Sequence, residues 1–345
     1  MKYLCFRLAL FALLPALSFA QAPDTVWTKI YGGNYFEHGS SVWQTTDGGY
    51  IITGLTESFG AGSADVWLVR TDGAGDTLWT KTYGGVGYDR GSSVQQTSDG
   101  GHILVGCTNS NGAVWLLRTD TLGDTLWTKT YGEVGYNYGH YVRQTSDDGY
   151  VIAGWIDATL DTDVWLLKTD SLGDTVWTKS YGDTLDDRGY SVQQTSDGGY
   201  ILVGYTDSFG AGSSDLWLVR TDSLGDTLWT TTYGWTGAEG GIEVQQTTDG
   251  GYIIAGETNS FGAGSYDVWL LRISPEPGIE EETNRTAKRS NFGTTVISGP
   301  LLLPEGRKCK VFDITGRVVT PQKLSPGIYF IEIDNRIMQK VVKVR

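Results

Sequence analysis

Residues Thr195 to Gly234 read TSDGGYILVGYTDSFGAGSSDLWLVRTDSLGDTLWTTTYG, and near-copies of this unit also follow Gln44, Gln96, Gln144 and Gln246. The stretch parses into short β segments. A first strand, Ser191 to Thr195, ends at an Asp197-Gly198 turn, whose glycine accepts the positive φ of a tight hairpin. The apolar runs from Tyr200 to Gly204 and from Leu216 to Arg220 are continuous rather than alternating, the pattern of strands covered on both faces. A T-D-S-L-G-D turn leads into a fourth strand, Thr227 to Tyr233, in which Leu228, Thr230 and Thr232 alternate with Trp229, Thr231 and Tyr233. Four antiparallel strands in sequence order make one propeller blade.

Tryptophans mark the period. Trp27, Trp79, Trp127, Trp177 and Trp229 form one series near 50 residues apart, and Trp67, Trp115, Trp165, Trp217 and Trp269 track them. The first copy opens with a lone fourth strand, Val26 to Tyr31, and the last stops after a third strand, Val268 to Arg272. These broken ends complement each other. Closing the ring with the N-terminal strand removes two raw sheet edges, whereas an open solenoid keeps both. The expectation is an all-β fold: a five-bladed propeller of four-stranded blades, closed by N-terminal strand exchange. The T-D-x-x-G-D turn, which starts at Asp72, Asp120, Asp170 and Asp222 and is missing at the chain break, agrees. The string W-L-[VL]-[RK]-T-D-S-L-G-D-T-L-W resembles quinoprotein-type propeller repeats, and G-G-Y-I resembles kelch-type blades. That resemblance implies architecture only, because the Asp-to-Gly spacing is one residue short of the quinoprotein pattern and nothing marks a quinone site.

Residues 1–20 read as a signal peptide: Lys2 and Arg7, an apolar run from Leu8 to Leu17, then Ser18-Phe19-Ala20, so Gln21 is the expected mature start. The apolar run is too short for a membrane span, and no other segment is expected to cross a bilayer. Of 345 residues, 48 are Gly, 13 Trp and 19 Tyr, a turn-rich and aromatic-rich composition. Between residues 21 and 273 there are 12 Lys and Arg against 32 Asp and Glu. So acidic a domain repels phosphate backbones and argues against nucleic acid. Cys107 and Cys309 show no paired spacing, and His38, His102 and His140 are scattered, so neither a disulfide framework nor a Cys/His metal site is expected.

After a Pro/Glu-rich linker, residues 274–290, composition turns basic, with 9 Lys and Arg against 4 Asp and Glu from residue 291 to 345. The string V-F-D-I-T-G-R-V-V (Val311 to Val319), followed by S-P-G-I-Y-F-I-E-I and a terminal K-V-V-K-V-R, resembles the C-terminal sorting domain of type IX secretion cargo. Asp313, Gly316, Arg317, Gly327 and Tyr329 fall where that family's motif has them. The resemblance implies a small β-sandwich that engages the secretion machinery and delivers the protein out of the cell or to the outer surface of a Gram-negative type of envelope.

Blade geometry places the second-to-third loops and the blade connections on one face, and there the copies differ, which is where recognition on a repetitive scaffold is usually built. Trp43, Trp155 and Trp235 have no Trp counterpart in other copies. With Tyr35, Tyr88, Tyr136 and Tyr138 they form the candidate ligand-binding set, able to stack on sugar rings or grip a peptide. Glu37, Asp89, Asn137, Asp187 and Glu239 recur two residues before a loop position and form a candidate cation ring for calcium, with the alternative that each ties down its own loop. No other cofactor is expected. Arg70, Arg118, Lys168, Arg220 and Arg272 recur at one strand position as a solvated or paired ladder. Catalytic motifs of the G-x-S-x-G or H-E-x-x-H kind are missing, and the repeats show no break of symmetry of the kind a propeller glycosidase uses. The expected function is a non-enzymatic exported binding module for a glycan or protein; the alternatives are a surface polysaccharide-acting enzyme with a carboxylate site at the channel mouth, and a structural surface protein.

Overall fold

The computed structural model describes residues 24–108, 112–132, 137–158, 161–276, 294–297, 301, 309–313, 317–321, 324–333 and 336–343. The expected signal peptide, residues 1–20, lies outside them. The chain divides into two compact units, meeting at Glu276 and Pro277.

The first unit is a propeller-type array of antiparallel sheets, each in simple sequence order. Blade 1 consists of β1 (Glu37–Gln44), β2 (Tyr50–Thr56), β3 (Asp65–Thr71) and β4 (Thr77–Tyr83). Blade 2 runs from β5 (Asp89–Gln96) to β8 (Thr125–Tyr131), blade 3 from β9 (Tyr138–Gln144) to β12 (Thr175–Tyr181), and blade 4 from β13 (Asp187–Gln194) to β16 (Thr227–Tyr233). The fifth sheet has three strands, β17 (Glu239–Gln246), β18 (Tyr252–Thr258) and β19 (Asp267–Ile273). The third strand of blade 4, Asp215–Thr221, is buried along its whole length, as the continuous apolar run requires, while its fourth strand is largely open to solvent. The glycine inside each apolar run is needed for close approach. An ideal Cβ on Gly204 would lie 1.8 Å from the Arg188 carbonyl oxygen, beside the bulge between Gly189 and Ser191.

Apolar residues on facing sheets make the seams. Ile201, Val203, Leu216 and Leu218 of blade 4 pack against Val244, Tyr252 and Ile254 of the fifth sheet, and equivalent clusters join blades 1 to 2, 2 to 3 and 3 to 4. The fourth strands of blades 1 to 3 each add three stitches to the next sheet, while β16, with Thr231 in place of the lysine, adds the Trp229–Tyr252 ring contact. Trp177 meets Tyr200 edge-on at 5.7 Å, Lys179 pairs with Asp226 at 2.8 Å, and the Tyr181 hydroxyl donates to the Gly225 carbonyl at 2.7 Å. The T-D-x-x-G-D turn is therefore a socket for the preceding blade. Residues 24–31 use the same stitches on blade 1: Trp27 on Tyr50 at 5.8 Å, Lys29 with Asp76 at 2.5 Å, and Tyr31 donating to Gly75 at 2.6 Å. Their side chains thus occupy the seat of a fourth strand belonging to a preceding blade. Their backbone is not assigned as a strand, and Val268 and Leu270 on β19 stay 91% and 69% exposed.

In the second unit the described strands are β20 (Thr294–Ile297), β21 (Cys309–Asp313), β22 (Val318–Val319), β23 (Gly327–Ile333) and β24 (Arg336–Lys343). They form one five-stranded sheet in the order β20-β24-β23-β21-β22, with β20 parallel to β24. The second layer of the expected sandwich is not found among the described residues. Val311, Leu324 and Tyr329 form a small buried cluster, and the Tyr329 hydroxyl donates to the Ser325 carbonyl at 2.8 Å.

Candidate functional site

The first strands of the five sheets converge on one channel. Just before its apolar anchor each carries a bulge, which turns an extra side chain toward the channel mouth. These residues are Ser40, Ser92, His140, Tyr190 and Ile242, and all five line a cavity of about 330 Å³. The mouth is lopsided: serines on blades 1 and 2, bulky rings and an isoleucine on the others.

Deeper in the channel the repeats depart from the regular S-V-Q of Ser93-Val94-Gln95 and Ser191-Val192-Gln193. Blade 1 has Trp43, blade 3 has Tyr141 and Arg143, and the fifth sheet has Glu243. These exceptions meet. The Arg143 guanidinium lies 4.8 Å from the Trp43 ring centroid and 4.2 Å from that of Tyr141, and the Tyr141 hydroxyl donates to Glu243 Oε1 at 3.0 Å. Burial, with the Glu243 carboxylate adding to it, pushes the Tyr141 hydroxyl up to about 12, so it remains a donor at neutral pH. The sequence expectation of an unbroken symmetry is corrected here. Channel asymmetry is real, and the signal for it was the interrupted S-V-Q pattern.

On the loop face a second group of rings extends from blade 2 to blade 4. Tyr138 and Trp155 stack at 4.7 Å with planes 10° apart, Arg188 covers Trp155 at 5.1 Å, and His140 meets Tyr190 edge-on at 4.7 Å. Trp155 takes the place of Leu55, Cys107, Tyr205 and Glu257 in the other sheets, paired across the strand with Tyr138 where they pair with His38, Arg90, Arg188 and Gly240. Tyr88, Cys107, Thr108, Asn137, Tyr138 and Trp155 enclose a cavity of about 240 Å³. Burial lowers His140 to about 4, leaving it neutral, and raises the Cys107 thiol, leaving it protonated. Cys107 and Cys309 are free thiols.

Of the aromatic candidates the structure therefore brings together Tyr88, Tyr138 and Trp155. Trp43 belongs to the channel instead of the loop face. Tyr35 and Trp235 are 73% and 62% exposed on the connections into blade 1 and the fifth sheet, outside this cavity, and Tyr136 lies outside the described residues. His140, Arg188, Tyr190 and Tyr205 were not anticipated. The cue for them was again departure from the repeat at the bulge and its neighbour.

The acid positions are engaged by backbone donors. Asp89 accepts from Gly85 N at 3.0 Å, Asn137 from Asp157 N at 3.1 Å, Asp187 from Asp183 N at 3.1 Å, Glu239 from Trp235 N at 2.8 Å and Glu37 from Gly33 N at 3.3 Å. The four acids each hold their own connecting loop, whereas Asn137 is tied to the second strand of blade 3. Among the described residues no group of three or more His, Cys, Asp or Glu side chains is placed to hold a metal ion. The basic ladder is paired with the hairpin acids: Arg70 with Asp47, Arg118 with Asp99 and Arg220 with Asp197, each at 2.5 Å, Arg272 with Asp249 at 2.6 Å and Lys168 with Asp147 at 3.0 Å. Among the described residues no helix is long and apolar enough to cross a membrane.

No protein-family model matches the chain, and no curated protein matches it. Solved structures similar to it include an endo-arabinase from Bacteroides thetaiotaomicron VPI-5482, 11% identical, with a TM-score of 0.40 over 70% of this chain and 96% of that one. The Pan2 WD40 domain of Neurospora crassa is 8% identical, with a TM-score of 0.40 over 70% of this chain and 80% of that one. PorZ, a surface component of the type IX secretion system of Porphyromonas gingivalis, is 10% identical, with a TM-score of 0.38 over 89% of this chain and 51% of that one. All three scores fall below 0.5, and no residue role is transferred from them.

Proposed function

We propose that the chain is an exported, non-enzymatic binding protein that takes a glycan at the ring cluster on the loop face of blades 2 to 4. The gathering of Tyr88, Tyr138 and Trp155 around one cavity of about 240 Å³ carries this reading. Trp155 is held by the stacked Tyr138 ring and by the Arg188 guanidinium, so it acts as a rigid wall. The Tyr88 ring, 38% exposed, is the surface left for a sugar ring to stack on, with Asn137 and Thr108 as polar edges. A glycosidase needs two carboxylates about 5–10 Å apart. Among the residues lining the channel cavities Glu243 is the one carboxylate, and it is engaged by Tyr141. That favours binding over hydrolysis.

The test is a glycan array with the secreted chain, followed by Tyr88→Ala and Trp155→Ala. The expected result is at least a tenfold loss of affinity in each variant with an unchanged circular dichroism spectrum. Turnover of a polysaccharide would replace this reading with the enzymatic one, and absence of any bound glycan would leave the structural surface protein.

Two further parts of the proposal concern assembly and export. The ring closes as a five-bladed propeller, residues 26–31 completing the fifth sheet against β19; their fourth-strand seat on blade 1 supports this. Residues 291–345 address the protein to the secretion machinery and to the cell surface or medium. Deleting residues 301–345 is expected to trap it in the periplasm, and secretion unaffected by the deletion would remove that assignment.

A further inference from the structure

The seams between sheets repeat one acidic arrangement on the loop face. An acid at the start of a third strand faces an acid at the start of the next first strand, with a glycine between them. An ideal Cβ on Gly84 would stand 2.3 Å from Asp65 Oδ1 and 2.7 Å from Asp89 Oδ2. On Gly234 it would stand 1.9 Å from Asp215 Oδ1 and 2.6 Å from Glu239 Oε2, and on Gly182 1.9 Å from Asp163 Oδ1 and 2.8 Å from Asp187 Oδ2. Two carboxylates thus point at one small space that only a glycine leaves clear. The seam between blades 2 and 3 departs from this at both positions. Ala113 replaces the first acid and Asn137 the second, so both charges disappear together.

At the seam between blades 3 and 4 Asp163 lacks the donors its counterparts have, while Asp187 accepts on Oδ2 from Asp183 N at 3.1 Å and from Ser208 Oγ at 2.8 Å. In blade 1 the F-G-A-G-S loop turns Ala61 N and Gly62 N onto Asp65 Oδ2 at 2.9 and 3.0 Å, and in blade 4 Ala211 N and Gly212 N do the same for Asp215. In blade 3 the second and third strands, Tyr150–Ala158 and Asp161–Thr169, stay paired out to Ala158 and Asp161, and Asp163 Oδ1 is enclosed without a hydrogen-bond partner. So is Oδ1 of Asp187, a residue 0% exposed, and so is Oδ1 of Asp207 in the adjoining loop. Arg188, the cation of this seam, is engaged with Asp186 at 3.2 Å. Burial and the like charges of Asp187, Asp161 and Asp183 push the Asp163 carboxyl above its ordinary value, and burial does the same to Asp187. Enclosed carboxylate oxygens without donors are strongly unfavourable unless a cation meets them.

We propose that this seam binds a calcium ion between Asp163 and Asp187, with backbone carbonyl and water oxygens completing its shell. Oxygen-only, carboxylate-led ligation in an irregular geometry suits calcium better than a softer metal or magnesium, and exported modules hold calcium with dissociation constants of about 0.1–1 mM. The seam between blades 2 and 3 shows what the fold does without the ion: it carries Ala113 and Asn137.

The experiment copies that solution. The full secreted chain, stripped with EDTA, is titrated with calcium chloride by calorimetry, and its melting temperature is followed with and without 5 mM calcium, about fivefold above the weakest expected dissociation constants. Wild type is expected to bind and to melt higher with calcium. The double variant Asp163→Ala, Asp187→Asn is expected to lose that heat and that shift, and to melt above metal-free wild type because two mutually repelling charges, one of them buried, are gone. Absence of heat and shift in wild type overturns the proposal, as does a variant that responds as wild type does. Asp163→Asn alone, which changes no side-chain volume appreciably, gives the same reading should the double variant fold poorly.

Discussion

The seam between blade 4 and the fifth sheet and the outer face of that fifth sheet carry the same residue types in different circumstances. Leu216 and Leu218 are 1% and 0% exposed, while their counterparts Val268 and Leu270 are 91% and 69% exposed. Arg220 is enclosed, its side chain 2% exposed between Asp197, Tyr252 and Glu276, while Arg272 in the same register is 39% exposed. Strand propensity and hydrogen-bond register are alike in the two places. The difference lies in the neighbour, so a sheet of this array is complete only when the next sheet covers it.

That contrast can be broken most sharply by paired truncations. Leu218→Ala is expected to cost about 2–5 kcal/mol, the range for a buried leucine. If the ring closes in solution, Leu270→Ala should cost a comparable amount in urea denaturation; a cost within about 0.5 kcal/mol would show that the outer face stays open. Next in size is Arg220→Ala, expected to lose about 2–3 kcal/mol because Tyr252 and Glu276 lose a charged partner. Arg272→Ala should lose at most about 1 kcal/mol as an exposed pair, and equal losses would again indicate a closed ring. Lys179→Ala tests the outer stitch. With side chains 37% and 65% exposed, the Lys179–Asp226 pair is expected to contribute under about 1 kcal/mol, and salt should erase the difference from wild type.

The smallest expected effect is a pH dependence. Asp163 and Asp187 have folded values raised above the ordinary 3.8, so in the absence of metal they destabilise the fold while ionised. Stability contributed by protonating them grows as pH falls through the raised values and is complete below about 3.8. The hairpin acids Asp47, Asp99, Asp147, Asp197 and Asp249 have lowered values, Asp47 chiefly through Thr45 and Arg70, and their contribution is lost only below 3.8. Metal-free wild type should therefore gain melting temperature on mild acidification above pH 4, and the Asp163→Ala, Asp187→Asn variant should not. A wild-type melting temperature that falls steadily from pH 7 to 4 would contradict the shifts.

The repeat made the strands legible because its signals are local. Asp-Gly turns, continuous apolar runs and the alternating Trp strand each depend on residues a few positions apart, and they reappear as strands and hairpins except at Val26 to Tyr31, whose backbone is not assigned as a strand. The site was less legible because its contacts join residues far apart in sequence. Tyr141 and Glu243 are 102 positions apart and meet only because five first strands share an axis. Trp43 read as a loop-face residue since its uniqueness was visible and its direction was not. The recurring acids were legible as a pattern, yet their partners are backbone amides and hydroxyls brought to them by the fold, which carry no mark in the sequence.

The seating of residues 24–31 on blade 1 also bears on the order in which the molecule assembles. The contacts of Lys29 and Tyr31 join positions 47 and 44 residues apart, so this segment can dock as soon as blade 1 exists. Joining the free N-terminus directly to β19 would close a loop roughly five times longer, at about 1.4 kcal/mol more loop entropy. Once docked, the segment is part of a rigid template, and closure of the ring, as proposed, would be the meeting of two preformed surfaces. Ring completion would then be the last and slowest step of folding, and the one most exposed to capture by another copy of the chain.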